Sequence, residues 1–228
     1  MKYRNIIFDF DGTLVDTATL ITATMQRTIK VLNLPARSDR ECKSMIGYRL
    51  VEIPSILWPD IPDLSERYTK TYREFFNHIK DEFKVNMFPH VFETLKALNH
   101  EGIRMAIASS RSKASLQEYC SDMHIIECFQ MLVGGGEVKN GKPAPDPVNL
   151  ILSTQEWNKA ETLVVGDMNV DILMGKDAGT STCGVTYGNG SIAELQEAGA
   201  DYIISDFADL ISIVFPASRV SREAGKTK

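Results

Sequence analysis

Cysteine and tryptophan are scarce in this chain of 228 residues, with four of the first and two of the second. Cys42, Cys120, Cys128 and Cys183 are scattered without CxxC spacing, which argues against a disulfide framework and fits reduced thiols. No stretch approaches the roughly 18 consecutive apolar residues of a membrane span. Basic residues are in deficit, 25 against 30 acidic, and a net charge of −5 leaves no basic footprint for nucleic acid. His78, His90, His100 and His124 lack metal-ligand spacing, so no zinc site is implied. The opening MKYRNIIFDFDGT soon meets Asp9, so no secretory leader is expected, and the sequon Asn189-Gly190-Ser191 is then without consequence. With 43% apolar residues the chain is too hydrophobic for disorder. The expectation is a cytoplasmic protein, monomer or homodimer, with no membrane or nucleic-acid partner.

Short apolar runs recur between helical patterns. Asn5–Phe8, Ile103–Ala108, Met131–Val133, Thr162–Val165, Thr182–Val185 and Tyr202–Ile204 are apolar at most consecutive positions, as in strands of a parallel sheet covered on both faces. Helical patterns lie between them at Val91–Asn99, Ser112–Cys120, Val148–Leu152, Val170–Ala178 and Ile192–Ala198, several ending at a glycine. This alternation predicts an α/β fold, a doubly wound parallel-sheet Rossmann-like core. One segment breaks the rhythm. Residues 16–86 place Ile21, Met25, Ile29 and Leu32 on one helical face and Tyr68, Tyr72, Phe75 and Ile79 on another. Ser38-Asp39-Arg40-Glu41 reads as a capping box opening a helix that stops at Gly47. The expected division is a core of residues 1–15 and 87–216, an inserted α-helical cap of 16–86 whose first helix Asp16 caps, and a mobile tail of 217–228.

Chemistry gathers where the strands end. The first runs directly into Phe8-Asp9-Phe10-Asp11-Gly12-Thr13. Side chains two apart on an extended chain share a side, so Asp9 and Asp11 can face one centre, at the sheet edge where α/β proteins bind ligands. Paired carboxylates repel unless a cation or shared proton intervenes, and a hard ion such as Mg²⁺ suits them; a plain Asp-Gly turn is the alternative. After the second core strand, Ser109 or Ser110 can donate to a phosphate oxygen or cap the next helix. After the third, Gly134-Gly135-Gly136 reads as a loop, and Lys142 follows in a proline-stiffened segment that can fix its ammonium as a counter-charge. After the fourth, Gly166-Asp167-Met168-Asn169-Val170-Asp171 brings two more acids to a helix start, where they are also favourable on dipole grounds.

In this order the set resembles the haloacid dehalogenase superfamily, and within it the phosphatases with a helical cap of the phosphoglycolate phosphatase-like group. Residues 9–17, DFDGTLVDT, resemble its first motif, Ser109 the second, Lys142 the third and residues 166–171 the fourth. The second acid, Asp11, sets the chain apart from the dehalogenase branch. The resemblance implies that Asp9 attacks phosphorus, that Asp11 serves as acid and base, and that Ser109 and Lys142 bind the phosphoryl group. It implies Mg²⁺ held by Asp9, Asp167 and the Asp11 carbonyl, with Asp171 in support. Gly12, Thr13 and Ser110 would line the phosphate site, and Gly47, Tyr48 and Arg49 a specificity loop in which Arg49 either meets the leaving group or lies exposed. The substrate would be a small phosphorylated metabolite resembling phosphoglycolate or a sugar phosphate. A phosphosugar mutase of the β-phosphoglucomutase type shares all four motifs. A non-catalytic binding module is disfavoured because no motif acid is replaced.

Overall fold

A computed structural model describes residues 1–216. Its centre is a six-stranded, wholly parallel sheet. Strand β1 (Asn5–Phe8) lies in the middle, bonded to β4 (Arg104–Ala108) on one side and β6 (Thr162–Gly166) on the other. Beyond β4 stands β5 (Met131–Val133); beyond β6 stand β7 (Ser181–Val185) and β8 (Tyr202–Ile204). Every residue of β1 is buried. Ile6 and Phe8 enter the core on one face, with Val91, Leu95 and Leu98 of α5 (Val91–His100) and Leu116 and Cys120 of α6 (Lys113–Asp122). Ile7 enters the other, with Val148 and Ile151 of α7 (Asp146–Thr154) and Met174 of α8 (Asn169–Asp177). Burial on both faces explains why the strands read as continuous apolar runs rather than as an alternation. The six expected strands are present, with ends shifted by a residue at most.

The chain leaves and re-enters this core through a feature too short for hydrophobic patterning to show. Strands β2 (Val15–Asp16) and β3 (Asn86–Met87) pair antiparallel, Val15 opposite Met87 and Asp16 opposite Asn86. Between them run α1 (Ala18–Val31), α2 (Asp39–Lys43), α3 (Ile53–Leu57) and α4 (Leu64–Ile79). These helices gather a hydrophobic cluster of their own around Met25, Ile29, Cys42, Trp58, Leu64 and Tyr68. The capping box of α2 forms as expected: the Glu41 amide donates to the Ser38 hydroxyl, and the Glu41 carboxylate accepts from the Ser38 amide. The helix itself ends at Lys43, and the chain turns on to Gly47 at φ +103°.

One local expectation is corrected here. Asp16 does not cap α1; it is an exposed residue of β2. The N-cap position belongs to Thr17, whose hydroxyl turns away from the helix to donate to the Asp11 carboxylate at 2.7 Å. The expected tail, 217–228, lies outside the described residues. Among the described residues no helix is long and apolar enough to cross a membrane.

Candidate active site

The carboxyl end of β1 lies between strands reached in opposite directions along the sheet, the crevice where open α/β sheets take ligands. Asp9 stands there. Its amide donates to the Val165 carbonyl at 2.9 Å, carrying the β1–β6 ladder one residue past the strand and fixing the backbone beneath the carboxylate. The chain then folds back tightly, with the amides of Leu14 and Val15 donating to the Phe10 carbonyl at 3.0 and 3.1 Å. Gly12 makes that turn at φ +95°, and a Cβ there would lie 2.3 Å from an Asp167 oxygen. A side chain is excluded twice over, by conformation and by space.

Behind Asp9 stand two further acids. Asp9, Asp167 and Asp171 are buried and offer oxygens that all lie within 4.8 Å of one another. Lys142, also buried, donates to Asp9 and, at 2.7 Å, to Asp171. Thr13 donates its hydroxyl to Asp167 at 3.0 Å, and Asn189 adds its amide at 2.7 Å and its side-chain nitrogen at 3.1 Å. Asp171 accepts from the Met168 amide at 3.0 Å. Burial pushes the Asp9 carboxyl well above the usual range; Lys142 opposes this, and Asp171 and Asp167 add to it. Burial and the repulsion of Asp171 raise Asp167 to about 7, although Asn189 and Thr13 oppose them. Burial would lower the Lys142 ammonium, but Asp171 and Asp9 more than offset it and keep the lysine charged. With all three carboxylates ionised, one lysine would leave two negative charges in excess, and the raised Asp9 and Asp167 show how strongly the site resists that without a cation. Closely set, hard oxygen donors with surplus negative charge fit a divalent metal ion.

Asp11 takes a different direction. Both its oxygens accept from the Arg111 guanidinium, at 3.1 and 2.5 Å, and one also accepts from Thr17. Its carboxylate is therefore not among the three clustered acids, although Asp9 and Asp11 line the same cavity of about 720 Å³. Ser109 lines it too, with its hydroxyl accepting from the Arg111 amide at 3.2 Å. Neither Ser109 nor Ser110 caps α6; Ser112 does, accepting from the Ser115 amide. Ser110 instead donates to the Gly47 carbonyl at 2.6 Å, joining the loop after β4 to the helical insert.

Tyr48 and Arg49 also line the cavity, but the Arg49 guanidinium is neither exposed nor free. It pairs with Glu52 and reaches across to the Lys139 carbonyl at 3.0 Å. On the way it crosses Gly135 and Gly141, where an added Cβ would come within 3.2 and 2.7 Å of it. Of the glycine run that reads as a plain loop, Gly135 thus makes room for this arginine together with Gly141, while a Cβ at Gly134 would meet the Arg111 and Lys113 backbone. Sequence reasoning missed Arg111, Thr17 and Asn189. Asn189 carried the one usable signal: the flanking Gly188 and Gly190, where a Cβ would lie 2.4 and 2.2 Å from Asp167 atoms, follow a core strand and mark a close approach.

Residues 6–185 match the family described as haloacid dehalogenase-like hydrolase. The chain belongs to that family. It is 33% identical over 214 residues to the pyrophosphatase PpaX of Oceanobacillus iheyensis, covering 94% of this chain and 98% of that one. It is 30% identical over 227 residues to the phosphoglycolate phosphatase of Photorhabdus laumondii, covering 97% and 96%. A solved structure from Bacteroides fragilis, assigned as a haloacid dehalogenase-like hydrolase, superposes with a TM-score of 0.82 at 28% identity, over 92% of this chain and all of that one. These relatives place the chain among the family's phosphatases.

The excess charge around Asp167 generates a prediction that needs no substrate. Mg²⁺ at about a hundred times its dissociation constant should stabilise the chelator-treated protein by about 2.7 kcal/mol, read as a rise in Tm. Asp167→Asn should lose most of that rise. An equal shift in the variant would show that the ion binds elsewhere.

Proposed function

We propose that this chain is a Mg²⁺-dependent phosphomonoester hydrolase that works through an aspartyl-phosphate at Asp9. The observation that carries the reading is the position of Asp9, between an open cavity on one side and Lys142, Asp167 and Asp171 on the other. A carboxylate approaching a phosphate dianion is repelled, so the nucleophile needs fixed positive charge beside it. Lys142 supplies part of it. Asp9 and Asp167, with the Asp11 carbonyl and nearby Asp171, would hold Mg²⁺, which when bound supplies further counter-charge to the phosphoryl oxygens.

In the proposed cycle an Asp9 oxygen forms a bond to phosphorus while the bond to the leaving oxygen breaks. Asp11 gives that oxygen a proton, then takes one from the water that attacks the phosphorus of the intermediate. Inorganic phosphate leaves and Asp9 is restored. Ser109 would donate its hydroxyl hydrogen to a phosphoryl oxygen. The turn at Gly12 and Thr13 would hold the Asp9 and Asp167 carboxylates in register, and residues 16–86 would act as a cap that limits water. The substrate is a small phosphorylated metabolite of the phosphoglycolate or sugar-phosphate kind; of the relatives, one is named a phosphoglycolate phosphatase and another a pyrophosphatase. We read Ser110, Gly47 and Arg49 as contacts that hold the cap closed, since Ser110 bonds Gly47 and Arg49 spans from insert to core.

Screening the purified protein with Mg²⁺ against a panel of phosphate esters should give net phosphate release, which Asp9→Asn lowers by about 10³-fold or more with the fold retained. Rearranged sugar phosphate without net phosphate release would point to a mutase, and near-normal turnover in the variant would remove Asp9 from the chemistry.

Arg49 generates a separate expectation. As a closing contact, Arg49→Ala should lower kcat/KM about tenfold for a specific substrate and for p-nitrophenyl phosphate alike. A loss confined to the specific substrate would return Arg49 to leaving-group binding.

A further inference from the structure

The aromatic row of α4 runs on past the core it helps to pack. Tyr68 is fully buried in the insert's own cluster, with Trp58 and Leu64. Four residues on, Tyr72 stacks on it with ring centroids 6.3 Å apart, and Phe76 stacks on Tyr72 at 6.1 Å. Both later rings are only partly buried, and both line the cavity that holds Asp9. Packing accounts for Tyr68 but not for two rings presented to a site of carboxylates.

The rest of the insert brings the same kind of surface. Ile21 of α1, Met45 and Ile46 after α2 and Leu50 before α3 line the cavity with Tyr72 and Phe76. Ile21, Leu50 and Tyr72 pack against the insert's cluster and also reach the cavity. Three cationic side chains there are already paired: Arg49 with Glu52, Lys113 with Glu137, and Arg111 with Asp11 beneath the rings of Phe10, Tyr119 and Phe76. Arg73 is exposed. The insert therefore offers a ligand apolar area more than charge. A cavity of about 720 Å³ suits a ligand of drug size, and the two-carbon alcohol of phosphoglycolate fills little of it. Apolar surface that faces water is a source of affinity for whatever hydrocarbon covers it.

On the hydrolase reading just given, we propose a further activity of the same site, on phosphate monoesters of larger, apolar alcohols. The phosphoryl group lies at Asp9 as before, and the hydrocarbon lies against Tyr72, Phe76 and Ile21. The chemistry is unchanged. The bond from phosphorus to the alcohol oxygen breaks as Asp9 bonds to phosphorus, Asp11 protonates that oxygen, and water then frees the phosphate. What the insert adds is binding area for the leaving alcohol, which small polar esters do not cover.

Unbranched alkylphosphonates, whose P–C bond the cycle cannot cleave, separate binding from chemistry. Calorimetry on the full chain with Mg²⁺ should show Kd falling about threefold per methylene from ethylphosphonate to hexylphosphonate. For the matching alkyl phosphates, kcat/KM should rise with the same slope. Phe76→Ser should weaken hexylphosphonate roughly tenfold and ethylphosphonate less than about twofold, and Tyr72→Ser should do the same. A wild-type Kd indifferent to chain length would overturn the proposal, whether or not either variant folds. So would equal weakening of both phosphonates in a folded variant, which would make the rings packing residues. Phosphate release from phosphoglycolate but from no alkyl phosphate would likewise overturn it. A graded phosphonate series with no phosphate released from any ester would bring down the hydrolase reading alone.

Discussion

The arrangement rests on an imbalance of charge. Asp9, Asp167 and Asp171 are buried together, and Lys142 neutralises only one of them. A cluster of this kind costs stability wherever it occurs, since burial and mutual repulsion both oppose ionisation. Much of the local backbone is shaped to tolerate it. Glycine stands at positions 12, 166, 188 and 190, where a Cβ would strike an atom of Asp167 or Asp171. Thr13 and Asn189 spend their donors on Asp167, and the Met168 amide serves Asp171. Repulsion of this kind held beside a cavity fits a site for a divalent cation.

A second charge pair stands in front of this cluster and differs from it in kind. Asp11 and Arg111 neutralise each other under a roof of aromatic rings, one of them contributed by the insert. The two acids of the first motif are thus separated electrically although only one residue lies between them. Asp9 faces a lysine shared with another acid; Asp11 has an arginine to itself. In the proposed cycle, such a division would let one carboxylate act as nucleophile while its neighbour handles protons. Ser110 bonded to Gly47 and Arg49 bonded to the Lys139 carbonyl tie the same insert to the core at the rim.

The sequence disclosed what depends on local order and little of what depends on contact across the chain. Runs such as Ile6-Ile7-Phe8 announce buried parallel strands, and the polar residues that follow announce the working edge; both follow from chain order alone. The α2 capping box was legible for the same reason. The β2–β3 ribbon was not, because two residues carry no period. Nor was the part of Arg111, which stands after two serines like any loop arginine and meets Asp11 only once β4 lies beside β1. Thr17 held the usual place of a helix cap and serves the site instead. Asn189 sat in a sequon of no consequence, and its use appears only when β7 brings that loop to Asp167.

The central claim is that Asp9 becomes covalently phosphorylated. It is tested most directly by quenching the enzyme with acid during turnover of a radiolabelled phosphate ester and mapping the label by proteolysis. The account predicts a hydroxylamine-labile label, as expected of an acyl phosphate, on the peptide that carries Asp9 and absent from Asp9→Asn. Steady phosphate release with no label on the protein, or a label on any other residue, would contradict it.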